Sequence, residues 1–380
     1  MKRRSLLATL PALALPAHAQ TPAAEPGVSA REIVLGQTAD LSASRSVITR
    51  AYSGGAQLHF DEVNRLGGIH GRQLRVVQLD DAYQTARALD NARQLVARPV
   101  FALVHSVGTA IAGGLIPYLE TQGVPHVHPL TGGDEVRAPA LPSRQTFFLR
   151  ASYRREVSRI VTQLRTLGIS RIALAHEDEP FGHGIRLQVD DAMQAAGLSL
   201  VATGLMPFNQ PTAVQAAAQT VYRARPDAVI VGSAGPSVEN FIAATHRLGL
   251  RTTYYCLSVS NVERLHKALG PLSEGVVVTQ VMPSVRTSTM PVVRDYRRAS
   301  AGPDSTPSGF GLEGFISARL ITQALQAAGP LLTRARFIAM LEQPPSAQLG
   351  GFPVGHTPAT RNGSPFVELA MIGRQGRLVQ

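Results

Sequence analysis

The sequence lacks tryptophan, has few other aromatic residues and contains almost no lysine. Aromatic residues make up 5% of the 380 residues, which argues against the stacking surfaces that bind single-stranded nucleic acid. The formal net charge of +11 comes from arginine, because Lys2 and Lys267 are the only lysines. The arginines are spread over every segment instead of forming a basic run, so we expect no nucleic-acid partner.

Cysteine is also scarce, and the sequence motifs of catalysis are missing. Cys256 is the only cysteine, so no internal disulfide forms, and its apolar and aromatic neighbours predict a buried, inert thiol. There is no Gly-x-Ser-x-Gly, no His-Glu-x-x-His, no phosphate-binding loop and no dinucleotide-binding fingerprint. Nothing in the sequence supports an enzyme, and we expect no cofactor.

The first 19 residues have the three parts of an export signal. A basic stretch at residues 2–4 precedes an apolar stretch at residues 6–16 and then Ala17-His18-Ala19, which predicts cleavage after Ala19 and a periplasmic protein. A cytoplasmic protein with an apolar first helix fits this pattern less well. Export through the general or the twin-arginine route stays open. No cysteine follows the cleavage site and no later segment has 18 uncharged apolar residues, so we expect a protein without a membrane anchor.

Strand-like and helix-like segments alternate along the chain in two series. The predicted strands are 33–36, 74–77, 100–104, 124–128, 171–175, 198–203 and 228–231. The predicted helices are 53–66, 85–97, 110–122, 155–167, 184–196, 212–223 and 238–248. This alternation is typical of β-α-β units with parallel sheets covered on both faces. Two series, each too long for one sheet, predict two similar doubly wound lobes.

In sheets of this kind, ligands bind beyond the carboxyl ends of the strands, where loops and helix N-termini expose N–H groups. The loops at these positions are 37–46, 105–110, 129–133, 176–184 and 232–237. Ser42 and Ser106 lie in the first two loops and are candidate ligand contacts.

Three histidines lie in or directly after the predicted strands 100–104 and 124–128. His105, His126 and His128 suggest a metal site, because the His-x-His spacing of the last two puts both rings on one face of a strand. However, no acidic residue lies within that stretch, and a site needs three or four ligands. Ordinary packing and hydrogen-bonding roles are favoured, and we expect no metal.

An acidic stretch at residues 176–184 lies just before a predicted helix. Its carboxylates either interact with the helix dipole or form the polar rim of a binding cleft, with Phe181 as a lid over the ligand. The sequence does not separate these two interpretations.

Short motifs that resemble one family follow each other in order from about Ile33 to the C-terminus. They are Asn-Arg-Leu-Gly-Gly-Ile-His-Gly-Arg at 64–72 with Asp80-Asp81, Val107-Gly108-Thr109, Pro-Leu-Thr-Gly at 129–132, Phe181-Gly182, 275–283, 312–315, 350–352 and 366–369. Each is weak alone. Together they resemble the Leu/Ile/Val-binding-protein type of periplasmic solute-binding protein, which serves ABC importers.

The resemblance implies the type I periplasmic binding fold, an α/β architecture in which two Rossmann-like lobes, joined by three crossover strands, close on a ligand. By analogy, residues 30–149 with 280–364 form the first lobe, and residues 150–279 with 365–380 form the second.

The resemblance also implies a set of ligand contacts. In the first lobe, Thr109 with Gly108 before it, and Leu130, Thr131 and Gly132, would hold a ligand carboxylate at helix starts. The structural alternative is that the two threonines merely cap those helices.

In the second lobe this sequence departs from the family pattern. Phe181 replaces a tyrosine, Ala234 or Gly235 stands where an aromatic residue is usual, and Ser258 stands where an acid binds the ligand ammonium. A standard amino acid then binds only if Glu177 or Asp178 supplies the missing carboxylate.

The expected function follows from these points. We expect a monomeric periplasmic protein that captures a small organic acid or amino-acid-like ligand and delivers it to an inner-membrane ABC permease. A sensory receptor of the same fold that binds an amide or amino acid stays open as the alternative.

Overall fold

The computed structural model of the protein describes residues 25–43, 45–137, 143–302, 307–343 and 349–379. The predicted export signal at residues 1–19 lies outside these residues. Within them, no helix combines the length and the apolar character needed to cross a bilayer.

The first lobe is built on a five-stranded parallel sheet. Its strands are β1 (Glu32–Ala39), β2 (Gln73–Asp80), β3 (Ala102–Val104), β4 (His126–Val127) and β5 (Thr146–Phe147), in the spatial order β2-β1-β3-β4-β5. The helices on it are α1 (Ser46–Arg65), α2 (Thr85–Ala97) and α3 (Thr109–Gln122), joined from later in the chain by α9 (Pro291–Ala299), α10 (Gly309–Ala328) and α11 (Arg334–Leu341). One hydrophobic core joins β1 to α1, α10 and α11.

The second lobe is built on a seven-stranded mixed sheet. Its strands are β6 (Ile172–Glu177), β7 (Leu200–Met206), β8 (Ala228–Gly232), β9 (Thr253–Cys256), β10 (Val277–Gln280), β11 (Glu368–Ile372) and β12 (Leu378–Val379), in the order β12-β11-β10-β9-β8-β6-β7. Strands β6 to β10 are parallel, whereas β11 and β12 pair in antiparallel fashion at one edge. The helices are α4 (Tyr153–Thr166), α5 (Pro180–Ala195), α6 (Gln215–Ala224), α7 (Pro236–Arg247) and α8 (Val262–Leu269).

The chain passes between the two sheets three times. The passages run from β5 to α4, from β10 to α9 and from α11 to β11. Two doubly wound sheets linked in this way match the predicted fold class. Among the described elements, every parallel strand except β4 leads into a helix. The carboxyl ends of the strands and the first turns of these helices therefore lie together at one end of each sheet.

Two helices begin at least four residues earlier than the sequence predicts. Helix α1 begins at Ser46 rather than at residue 53, and α5 begins at Pro180 rather than at residue 184. Glycine inside a helix normally weakens it, so Gly182 obscured the start of α5. In α1, Gly55 packs closely on α10, because an added Cβ would lie 1.9 Å from the carbonyl oxygen of Gly311.

Candidate functional site

A closed cleft lies where the carboxyl ends of the two sheets meet. Five of the predicted ligand contacts line it, namely Gly108, Thr109 and Leu130 from the first lobe and Phe181 and Ala234 from the second. The remaining cavity is about 20 Å³, which is close to the space of one water molecule. The structure therefore shows the lobes closed on each other.

The first-lobe wall of the cleft is the start of helix α3. Gly108 precedes Thr109, the first residue of the helix, and its φ of +111° is one that glycine adopts without strain. An added Cβ at Gly108 would lie 2.5 Å from the ring of Tyr83, so the close packing also excludes a side chain. The N–H groups of the first turn have no acceptor within the helix and favour an anion.

Thr109 and Thr131 are hydrogen-bonded to each other. Their Oγ1 atoms are 2.7 Å apart and buried, and the Thr131 hydroxyl also accepts from the N–H of Gly133 at 3.0 Å. Thr109 is a helical residue rather than a cap, and in the described part of the chain no helix begins next to Thr131. The expected helix start at Thr131 is therefore wrong, and so is the alternative that both threonines cap helices.

Arg45, a residue that the sequence analysis missed, extends from the first lobe into the second. Its Nη2 lies 3.0 Å from Oε2 of Glu177, and its guanidinium also donates to the carbonyl oxygen of Ala234. The guanidinium carbon lies 5.1 Å from the centre of the Tyr83 ring, and only 5% of the side chain is exposed. The signal for this role was weak: Arg45 lies in the loop 37–46 that the sequence analysis singled out, but nothing there sets it apart from the other arginines of the chain.

Glu179 is a buried carboxylate without a hydrogen-bond partner. Both of its carboxylate oxygens are buried without a donor, and the closest cation, Nη2 of Arg45, is 3.9 Å away. Burial raises the pKa of Glu179 to about 7; Arg45 partly offsets this effect, and Glu177 and Glu135 add to it. The neighbouring Glu177 is fully partnered, since it also accepts from the hydroxyl of Ser237 at 2.8 Å.

The rest of the acidic stretch has other roles. Asp178, which the sequence offered as a possible ammonium partner, is exposed and pairs with His183 at 2.8 Å. Phe181 lies in the first turn of α5 and packs on Tyr153, with ring centres 5.1 Å apart. Phe181 thus forms a wall of the closed cleft from within a helix rather than from a loop.

The other predicted ligand contacts do not line the cleft, and they form hydrogen bonds elsewhere in the protein. The hydroxyl of Ser42 donates to Asp80 at 2.7 Å, and that of Ser106 lies 2.8 Å from Nε2 of His126. Gly132 accepts a hydrogen bond from the backbone of Tyr153. Ser258 donates its N–H and its hydroxyl to Glu156, both at 2.9 Å, and it faces a different cavity.

The histidines form hydrogen bonds inside the first lobe. The hydroxyl of Ser317 lies 2.7 Å from ring nitrogens of both His105 and His128. Burial lowers the pKa of His105 and of His126 to about 3, so both rings are neutral at pH 7. His128 has a φ of +56° and lies beyond the end of β4, so the expected shared strand face with His126 is wrong. No group of three or more possible metal ligands occurs among the described residues.

The thiol of Cys256 is buried and free on β9, as the sequence predicts. Burial raises its pKa to about 12. A thiol that stays protonated is a poor nucleophile.

The model of one protein family matches nearly the whole chain. The family is described as periplasmic binding protein, and the match spans residues 32–371. This chain belongs to that family. Its members are solute-binding proteins, so the chain is a binding protein rather than an enzyme, and the predicted family and type I fold are confirmed.

Solved structures of similar proteins have the same fold. A substrate-binding periplasmic protein from Ralstonia solanacearum superimposes with a TM-score of 0.85 and 30% identity, over 92% of this chain and 100% of that one. A branched-chain amino-acid ABC transporter protein from Thermus thermophilus with bound valine gives a TM-score of 0.81, with 16% identity over 92% of this chain and 95% of that one.

Curated relatives match over a shorter region. Leu/Ile/Val-binding protein homolog 8 from Brucella abortus is 24% identical over 192 residues, which is 47% of this chain and 46% of that protein. The matched region thus spans about half the length of the curated relatives.

Proposed function

We propose that this protein is the substrate-binding component of an ABC importer and that its ligand is a small amino-acid-like molecule. In this proposal the export signal directs the chain to the periplasm, the two lobes close on the ligand, and the closed form docks on an inner-membrane permease. Family membership supports the solute-binding role. The lobe boundaries at residues 149, 279 and 364 remain part of the proposal.

The ligand class rests on the unpartnered carboxylate of Glu179. Two carboxylates, Glu177 and Glu179, lie beside a single guanidinium, that of Arg45, and only Glu177 is within hydrogen-bond distance of it. One buried carboxylate therefore remains for a ligand, and an ammonium or another N–H donor satisfies it. Glu179 thus supplies the acidic group that Ser258 does not.

The ligand carboxylate binds at the opposite wall in this proposal. The start of α3 offers N–H groups and the hydroxyl of Thr109, and both are suited to a carboxylate. For a ligand to bind, the lobes open and the Arg45 side chain moves out of the space that it fills between them.

Calorimetry with paired ligands tests the proposal. Each α-amino acid is compared with the 2-hydroxy acid of the same side chain, which lacks the ammonium group. We expect at least one amino acid to bind at least tenfold more tightly than its hydroxy acid, and Glu179→Gln to remove this preference. If the hydroxy acids bind equally well to the wild-type protein, the ligand class is wrong. If no small solute binds, the solute-binding role itself is contradicted.

A further inference from the structure

An arginine-rich surface lies at the end of the second lobe opposite the cleft. Strands β6, β8 and β9 begin at this end in register, since Ile172 pairs with Ala228 and Ala228 pairs with Thr253. Helices α4 to α7 end there, because each of them leads back into a parallel strand. Six exposed arginines lie in the last turns of these helices or in the turns that follow them, namely Arg165, Arg171, Arg223, Arg225, Arg247 and Arg251. These arginines and the turns that carry them form the distal surface.

Hydrogen bonds join the turns of the distal surface to each other. The guanidinium of Arg171, just before β6, donates to the carbonyl oxygens of Ala224 and Arg225 at the end of α6. The N–H of Thr253 at the start of β9 donates to the carbonyl oxygen of Asp227 at 3.1 Å. The arginines of the three turns therefore belong to one continuous surface.

The positive charge of the distal surface is not balanced. None of its six arginines forms an ion pair with a described residue, and Asp227 is the only acid in the turns before β6, β7, β8 and β9. Each helix C-terminus carries roughly half a negative charge, so the four helices and Asp227 leave about three positive charges uncompensated. In the adjoining turns, Arg374 and Arg377 outnumber Glu274 and supply no excess of negative charge.

An exposed leucine lies on the same surface. Leu167 is in the turn between α4 and β6, and 57% of it is exposed. Arg165 precedes it by two residues and Arg171 follows it by four. A nucleic acid or a small anion would neutralise the arginines but leave Leu167 in water, whereas an anionic bilayer also takes up an apolar side chain. The spread of the arginines over three turns also suits a broad layer of phosphates better than a single anion.

We propose that the distal surface binds the anionic headgroups of a lipid bilayer. The arginines donate hydrogen bonds to lipid phosphates, and Leu167 enters the boundary between headgroups and acyl chains. Strand β6 runs from Ile172 at the distal surface to Glu177 in the cleft. Lipid and cleft ligand thus bind at opposite ends of the lobe and do not compete, so this proposal does not depend on the ligand of the cleft.

Fluorescence gives the first test, because the chain contains no tryptophan. We expect the emission of the Leu167→Trp protein to shift to shorter wavelength with vesicles of equal parts phosphatidylglycerol and phosphatidylcholine, and to stay unchanged with phosphatidylcholine alone. The matched control is Leu66→Trp, in the turn after α1 of the first lobe, where the leucine is 70% exposed and the preceding Arg65 pairs with Glu62 at 3.2 Å. Its emission should not shift. No shift in the Leu167→Trp protein, or equal shifts in both proteins, overturns the proposal.

Vesicle flotation with the same lipids gives the second test. We expect Arg223→Gln combined with Arg251→Gln to weaken vesicle binding at least tenfold, since each arginine beside an anionic surface contributes about a fivefold gain in affinity. The control, Arg31→Gln combined with Arg98→Gln, removes the same charge from exposed sites of the first lobe and should change binding less than about threefold. Thermal unfolding shows that each variant is folded.

Two outcomes of the flotation experiment contradict the proposal. Equal losses in the two double variants would show that binding follows net charge and not the distal surface. If the variant of the distal surface loses affinity for polyglutamate but still binds the vesicles as the wild type does, the surface recognises an acidic protein instead of lipid.

Discussion

At the scale of single residues, burial of the Glu179 side chain disfavours its charged form. Its carboxyl pKa is about 7 in the folded protein, against an ordinary value of 4.5. The folded protein thus holds this proton more tightly than the unfolded chain does. The resulting loss of stability develops as the pH rises from 4.5 to 7 and is complete above pH 7.

Glu179→Gln is therefore expected to stabilise the ligand-free protein at pH 8 and to have little effect near pH 4.5. We expect a gain of about 2–3 kcal/mol in the free energy of unfolding at pH 8, measured by urea denaturation. The control is Asp178→Asn, which changes the exposed neighbour and should alter stability by less than about 0.5 kcal/mol. A Glu179→Gln protein no more stable than the wild type at pH 8 would contradict the burial argument.

Thr109 allows the hydroxyl contact to be tested apart from packing. Thr109→Val keeps the shape of the side chain but removes the hydroxyl, and we expect ligand affinity to fall about tenfold because a charge-assisted hydrogen bond is lost. Thr109→Ser retains the hydroxyl and should bind nearly as the wild type does. Calorimetry with the amino acid that binds the wild type measures both. If the valine variant binds as tightly as the serine variant, the hydroxyl does not contact the ligand.

At the scale of elements, helices α1 and α10 are in backbone contact through glycine. An added Cβ at Gly55 would lie 1.9 Å from the carbonyl oxygen of Gly311, and one at Gly314 would lie 1.9 Å from that of Tyr52. These contacts hold the start of α10 against α1, the helix that follows β1.

Substitution of adjacent glycines on α1 tests this packing. Gly55→Ala is expected to destabilise the protein by about 3 kcal/mol or more, because rigid backbone must move. Gly54→Ala meets no atom within 4 Å and should stabilise the protein by about 0.5–1 kcal/mol through helix propensity. Urea denaturation of both variants measures the difference. Similar stabilities would show that the helices separate easily.

The sequence predicts the elements well where local patterns determine them and less well where tertiary contacts do. Helix α2 at Thr85–Ala97 is predicted to the residue, since its apolar spacing is regular and Pro99 follows it. The start of α1 depends on a contact with α10, more than 250 residues later in the chain, and no local pattern shows it. The resemblance gives the fold and five cleft-lining residues. Arg45 and Glu179 lie within the loops 37–46 and 176–184 that the sequence analysis singled out, but their individual roles were missed because these arise only when the two lobes meet.

At the scale of the whole molecule, ion pairs that connect the lobes lie in different environments. Arg45 of the first lobe is buried against Glu177 of the second. Arg154 on α4 reaches Asp134 of the first lobe at 3.4 Å, but half of its side chain is exposed. Removal of one partner from a buried ion pair strongly destabilises a protein, whereas an exposed pair contributes little to its stability.

Arg45→Met is therefore expected to open the ligand-free protein. Loss of the guanidinium leaves Glu177 and Glu179 as uncompensated buried charges, so the closed form loses stability and the lobes rotate apart about the crossovers. Small-angle scattering should show a larger radius of gyration for this variant than for the wild type, both without ligand. Arg154→Met, the control, should leave the radius unchanged. If both variants scatter as the wild type does, the Arg45 contact does not hold the lobes closed, and closure depends on the packing around Phe181 and Tyr153.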